Sequence, residues 1–193
     1  MAIKSSGSAT KERKIKEVKA VESFEKGQKV VVPIHGVGVI EDIIDLYGTK
    51  CFKIRFANNL LHMPVDRFLS SGVRDVISEK IAKQILGLLK KSLKVNKGSW
   101  SKRSQEYEAK IYSGDIYMIA NVVRELHNNE KTSYSENNIS ILAMSKLAEE
   151  LACAFNVDIS ESYARISSSL KFGKTPDTSV SDKMSDFEDI DLI

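Results

Sequence analysis

A chain of 193 residues with 42% apolar and 28% charged side chains has room for one ordinary domain or two small ones, in the balance of a soluble globular protein. Its two cysteines are isolated, its three histidines lack any i, i+4 spacing, and no stretch approaches the ~20 apolar residues that cross a bilayer. A disulfide scaffold, a two-histidine metal helix, a signal peptide and a membrane span are therefore not expected. The net charge of +3 is too small to imply nucleic-acid binding, but it is unevenly placed, with +4 in residues 1–20 and −4 in residues 174–193. Oppositely charged ends of this kind read as solvated tails.

The basic arm is expected to span 1–22, with order beginning near Phe24. Residues 28–33 (QKVVVP) are β-branched and stop at a proline, as a strand does before a turn. Gly36 and Gly38 then supply backbone freedom for a tight turn or bulge. Residues 37–44 (VGVIEDII) and 50–56 (KCFKIRF) read as two more strands joined through Leu46-Tyr47-Gly48-Thr49. In the second, Cys51, Lys53 and Arg55 alternate with Phe52, Ile54 and Phe56, which predicts one wet and one buried face. Asn58-Asn59 makes a turn, and Leu60–Met63 is a short strand stopped by Pro64. Four or five short strands in so little chain fit a small SH3- or Tudor-like barrel over residues 23–72.

After Gly72 the apolar period changes from two to about 3.6. Ser78 can cap a helix with Ile81, Ile85, Leu88 and Leu89 on one face. Residues 94–98 interrupt it, and Ser99 can cap a second helix with Tyr107 and Ile111. Asp115 caps a third, striped by Ile116, Ile119, Ala120, Val123 and Leu126. Ser135 is expected to open a fourth around Ile139, Leu142, Ala143, Leu147 and Leu151. Asp158-Ile159-Ser160-Glu161 has capping-box spacing and begins a fifth with Tyr163, Ile166 and Leu170. Short loops between amphipathic helices predict a compact all-helical domain over 73–173, before an acidic tail at 174–193. The fold class is thus α+β, a small β barrel followed by a helical bundle.

Catalytic signals are weak. No nucleophile elbow and no HExxH occurs, and Gly173-Lys174-Thr175 lacks the first glycine and the preceding strand of a phosphate loop. The chain reads as a non-enzyme with no cofactor and no metal, and Cys51 and Cys153 read as buried reduced thiols of a cytoplasmic protein. The most informative stretch is Gly98-Ser99-Trp100-Ser101-Lys102-Arg103, which holds the single tryptophan. Cations in a first helical turn oppose the macrodipole, at a cost up to ~1 kcal/mol that a docked anion removes. Equally, Trp100 lies seven residues before Tyr107 and can share its apolar face as a packing anchor. The local sequence leaves both readings open.

The order of segments adds a resemblance. Residues 24–40, Phe24-Glu25-Lys26-Gly27 through Val30-Val31-Val32-Pro33 to Gly36-Val37-Gly38-Val39-Ile40, resemble the F-x-x-G-x-x-V-V-Y-P-x-x-G-V-G-x-I opening of the CarD/CdnL family of bacterial transcription regulators. Met63-Pro64, Gly72-Val73-Arg74-Asp75-Val76, Trp100-Ser101-Lys102-Arg103, Ser113-Gly114-Asp115 and Val122-Val123-Arg124-Glu125-Leu126 follow in register, over about residues 23–156. The resemblance implies a Tudor-like domain that binds the β subunit of RNA polymerase, with His62, Met63 and Pro64 on the matching strand. It also implies a helical domain in which Trp100 wedges into the minor groove of promoter DNA near the −10 element, at the upstream edge of the bubble. Lys102 and Arg103 would hold phosphates, without reading sequence. Such a monomeric protein would stabilise the open promoter complex. Val32 replaces the usual tyrosine, His62 stands where relatives often have Arg or Met, and Ser104 and Gln105 stand where they often carry an aromatic and a cation. The segment 134–139 lacks the cations of the family's Leu-Ser-x-x-Glu-Arg, a loss for which the arm around residues 11–19 would compensate.

Two rivals share less of this pattern. Transcription-repair coupling ATPases carry a similar polymerase-binding domain, but no Walker A or helicase motif occurs here. An adaptor that binds RNA or a ribonucleoprotein through its Tudor/SH3-like barrel is the alternative, since such barrels host many functions.

Overall fold

The computed structural model describes residues 24–91, 98–127 and 133–171. The basic arm, the acidic tail and most of the interruption expected at 94–98 lie outside them. Five strands come first: β1 (Lys29–Val32), β2 (Gly36–Leu46), β3 (Thr49–Arg55), β4 (Leu60–Pro64) and, after helix α1 (Val65–Ser70), β5 (Arg74–Asp75). They form one antiparallel sheet in the order β4-β3-β2-β1-β5. The Tudor-like domain is thus a meander to which β5 is added beside β1.

Local chemistry accounts for the turns. Tyr47 and Gly48 both have positive φ (54° and 81°), the pair of left-handed residues that a two-residue hairpin requires. The Gly48 N–H donates to Asp45 Oδ1 at 2.7 Å. Within β2 the register slips between Ile40 and Asp42. The bulged Glu41 bonds Arg55 at 2.5 Å and Lys53 at 2.9 Å across the hairpin.

One sheet face carries Val30, Val32, Ile40, Phe52, Ile54 and Phe56, closed by Val65 and Phe68 of α1. The Phe24 ring stands edge-on to Phe68 at 4.8 Å. Neither α1 nor β5 is expected from the sequence, because six and two residues are too short for a period to register. On β3 the alternation holds at Lys53 and Arg55 but not at Cys51, which is buried on the face expected to be wet. Its neighbours in the ladder, Ile44 and Pro64, flank it on both sides.

The helical domain comprises α2 (Glu79–Leu89), α3 (Trp100–Tyr112), α4 (Ile116–His127), α5 (Tyr134–Phe155) and α6 (Ile159–Lys171). Ile85, Leu89, Tyr107, Ile111, Ile119, Val123, Leu147, Leu151 and Ile166 meet in one core. Each aliphatic side chain buried there contributes about 1.5–3 kcal/mol relative to exposure. Ser78 caps α2 by accepting from the Ile81 N–H, and Asp115 Oδ1 accepts from the Tyr117 N–H at 2.8 Å. The cap of α5 is Ser133, not Ser135. Its hydroxyl accepts from the Glu136 N–H while Glu136 reaches back to the Ser133 N–H, a complete capping box. Ser133-Tyr134-Ser135-Glu136 contains two serines, and only the first stands three residues before the acid. At α6, Glu161 turns to Arg165 rather than back toward Asp158.

α5 packs against β2, and side chains of α5 meet the β1–β2 turn and β5. Arg74 of β5 grips Glu150 of α5 in a two-armed ion pair (2.5 and 2.9 Å) and donates to the Gly114 carbonyl between α3 and α4 (2.7 and 3.1 Å). Glu150 also accepts from the Ile77 N–H at 3.3 Å. Lys146 donates to the Ile34 carbonyl at 2.9 Å, and burial pushes its ammonium pKa down.

Because Glu150 is 2% exposed, removing Arg74 leaves a buried charge without its partner. Arg74→Met is expected to destabilise the protein by about 3–5 kcal/mol in chemical denaturation. A change near zero would show that the junction contributes no stability.

Candidate functional site

Two surfaces carry the residues singled out in the sequence. The first is the free side of β4, an outer strand of the sheet. His62 is exposed, while Met63 and Pro64 are half-buried. Beside them lies a pocket of about 340 Å³, lined among others by Ile34, His35, His62, Met63, Pro64 and Arg67. Ile34 is 65% exposed at its rim. The His35 ring leans on Phe56 at 5.3 Å, and Lys146 holds the Ile34 carbonyl from the helical domain. One wall of the pocket is thus the β1–β2 turn, fixed from behind by α5.

The second surface is the start of α3. Ser99 stands at the N-cap, but its side chain makes no cap bond. The first turn holds no acidic residue, so Lys102 and Arg103 meet the positive end of the dipole. The structure treats these two cations differently. Lys102 is exposed. Arg103 has a side chain only 13% exposed and donates from Nη2 to Glu136 Oε1 at 2.9 Å. The phosphate contact expected of Arg103 from the sequence would have to give up this pair. Breaking a buried pair to free one partner costs about 3–5 kcal/mol.

Trp100 is half-buried, neither wholly in the core nor free of it. Its ring lies 6.5 Å from Tyr107, and the Arg103 guanidinium stands over it at 5.4 Å. The buried Tyr107 hydroxyl lies near Glu125 and Arg103, and its pKa is raised, chiefly by burial and then by Glu125. Lys110 reaches Glu125 at 3.5 Å, across the Tyr107 ring. Arg124, a further member of the motif series, is buried and donates to the Lys91 carbonyl at 2.7 and 3.0 Å, fixing the end of α2.

Sequence reasoning missed Glu136 and Lys146, and it reads Glu149-Glu150 as a solvated helix face, whereas Glu150 is buried and paired with Arg74. Only the first left a signal, the capping-box spacing from Ser133. Among the described residues there is no cluster of His, Cys, Asp or Glu that could hold a metal ion, and no helix long and apolar enough to cross a membrane.

Gly114 connects the two surfaces. It sits at φ +73°, and a β-carbon there would come within 3.0 Å of Pro33 Cγ and 3.3 Å of Pro33 Cα. Gly114→Ala is expected to cost at least ~1 kcal/mol of stability and to displace Pro33 from the pocket wall. Amide chemical shifts of Ile34 and His35 in the variant would report the displacement.

Residues 24–77 match the family described as CarD-like/TRCF RID domain, and residues 84–167 match CarD, C-terminal domain. Among curated proteins the chain resembles one named "Putative transcription factor YdeB" from Bacillus subtilis (strain 168), 27% identical over 114 residues that cover 56% of this chain and 74% of that protein. The first match ends just beyond β5 and the second begins within α2, so each coincides with one half of the structure. Sheet and helices follow one another as the motif series anticipates, and the chain belongs to the CarD/CdnL family of transcription regulators.

Proposed function

We propose that this regulator binds the β subunit of RNA polymerase through β4 and stabilises the open promoter complex through Trp100. The observation that carries the DNA half is an incompletely buried indole at the start of α3, next to the exposed Lys102. An apolar ring inserted into the minor groove keeps a base step unstacked, at a cost of a few kcal/mol per step that the protein's contacts must offset. Lys102 adds a phosphate contact that is salt-sensitive and indifferent to sequence. A wedge of this kind favours DNA that is already bent or open, and so slows collapse of the bubble.

The polymerase half rests on the exposed side of β4. An outer strand presents unpaired N–H and C=O groups that a partner strand can continue, and the adjoining pocket can receive one of that strand's side chains. Ile34 and Met63 supply apolar contact there, with Arg67 at the rim.

Trp100→Ala is expected to shorten open-complex lifetime on a fork template about tenfold, or ~1.4 kcal/mol. The variant must remain folded and polymerase-bound. An unchanged lifetime would remove the wedge from the account. His62→Pro is expected to weaken binding to the isolated β lobe by at least about tenfold, while duplex DNA affinity stays level. Equal loss of both affinities would show that the two surfaces do not act separately, and capture of RNA instead of polymerase would favour an adaptor.

A further inference from the structure

We infer that Arg103 is a positioning residue that fixes the Trp100 ring, and that phosphate contact at this helix start falls to Lys102. The inference rests on the reading of Trp100 as the DNA wedge and assigns its geometry to a partner on another helix.

Helical spacing sets up the arrangement. Arg103 follows Trp100 by three residues and precedes Tyr107 by four, so the three side chains form one stripe, while Lys102 points roughly 100–160° away from its members. The stripe faces the bundle and Lys102 faces solvent, in keeping with their exposures. Arg103 thus reaches inward, with its guanidinium 5.4 Å from the indole centroid and bonded to Glu136.

Glu136 is a fixed anchor. Its Oε2 accepts from the Ser133 N–H at 2.9 Å, and the Ser133 hydroxyl accepts from the Glu136 N–H at 3.3 Å. The carboxylate is therefore pinned to the first turn of α5 before Arg103 meets it. A planar guanidinium suits both tasks, since it stacks over an aromatic face while its edge serves a carboxylate, which an ammonium cannot do. Withdrawing Arg103 to a phosphate would break its ion pair with Glu136, which is 5% exposed. The orientation of the wedge on α3 is thus set from the start of α5.

The test uses Trp100 itself, the only indole in the chain. Its steady-state fluorescence anisotropy in the free protein reports how tightly the ring is held. Binding to fork DNA across a salt series reports how many phosphates are neutralised, at about 0.9 in the log–log slope per contact. Lys102→Gln is expected to leave anisotropy unchanged and make the slope shallower by about 0.9. Arg103→Met is expected to lower anisotropy and leave the slope alone. Arg103→Lys, which keeps the charge and the fold, is expected to lower anisotropy as well. Glu136→Gln is expected to loosen the ring from the other helix and to steepen the slope by up to ~0.9, because Arg103 is released.

A slope made shallower by about 0.9 in Arg103→Met, with anisotropy unchanged in Arg103→Lys, would overturn the inference and make Arg103 a phosphate contact. Anisotropy needs no DNA, so the two readings fail separately. If Trp100→Ala leaves open-complex lifetime unchanged while Arg103→Lys still lowers anisotropy, the wedge fails and the strut stands.

Discussion

The structure depends first on one guanidinium. Arg74 closes the sheet at β5, takes both oxygens of a carboxylate from α5, and binds the carbonyl at the corner between α3 and α4. Three separate parts of the chain are thereby referred to a single planar group. None of the three could hold its position alone. A two-residue strand has little pairing of its own, Glu150 is buried among groups that must satisfy its oxygens, and the Gly114 carbonyl is itself paired with Arg74. The geometry of Arg, with donors on two edges, satisfies all of them at once.

The same corner links the two candidate surfaces. Pro33 packs against Gly114, Lys146 holds the Ile34 carbonyl, and a β-carbon on Gly36 would fall 2.8 Å from Glu149 Oε2. The β1–β2 turn that lines the β4 pocket is therefore clamped by α5 and by the end of α3. Trp100 lies at the other end of that 13-residue helix, ~20 Å away. Among the described residues, the β4 pocket and the start of α3 are thus joined through packed elements.

Two arginine–glutamate pairs therefore organise the molecule with the same chemistry and different consequences. At Arg74–Glu150 both partners are backbone organisers, and the pair builds the junction. At Arg103–Glu136 the carboxylate is already committed to a helix cap, and the arginine transmits that fixed position to an aromatic ring. In each case burial makes the pairing obligatory, since a lone charge in either place would be left without water.

Much of this protein could be read directly from its residues. The period of two in β2 and β3, the period of 3.6 from Ser78 onward, and the caps at Ser78 and Asp115 are short-range patterns, enforced by local sterics and by burial of one face. They determined the α+β class, four of the strands, the five larger helices and the position of Trp100 at a helix start. The ordered series of motifs determined the family. What the residues could not decide were contacts between distant parts of the chain. Arg74 and Glu150 are 76 residues apart, and Arg103 and Glu136 are 33 apart. Which carboxylate meets which cation depends on how helices cross and which faces they bury, and no local spacing encodes that. Hence two adjacent cations that look equivalent in Trp100-Ser101-Lys102-Arg103 take different parts. Packing places one in solvent and the other beneath the indole, because three residues along a helix return to the same face and two do not.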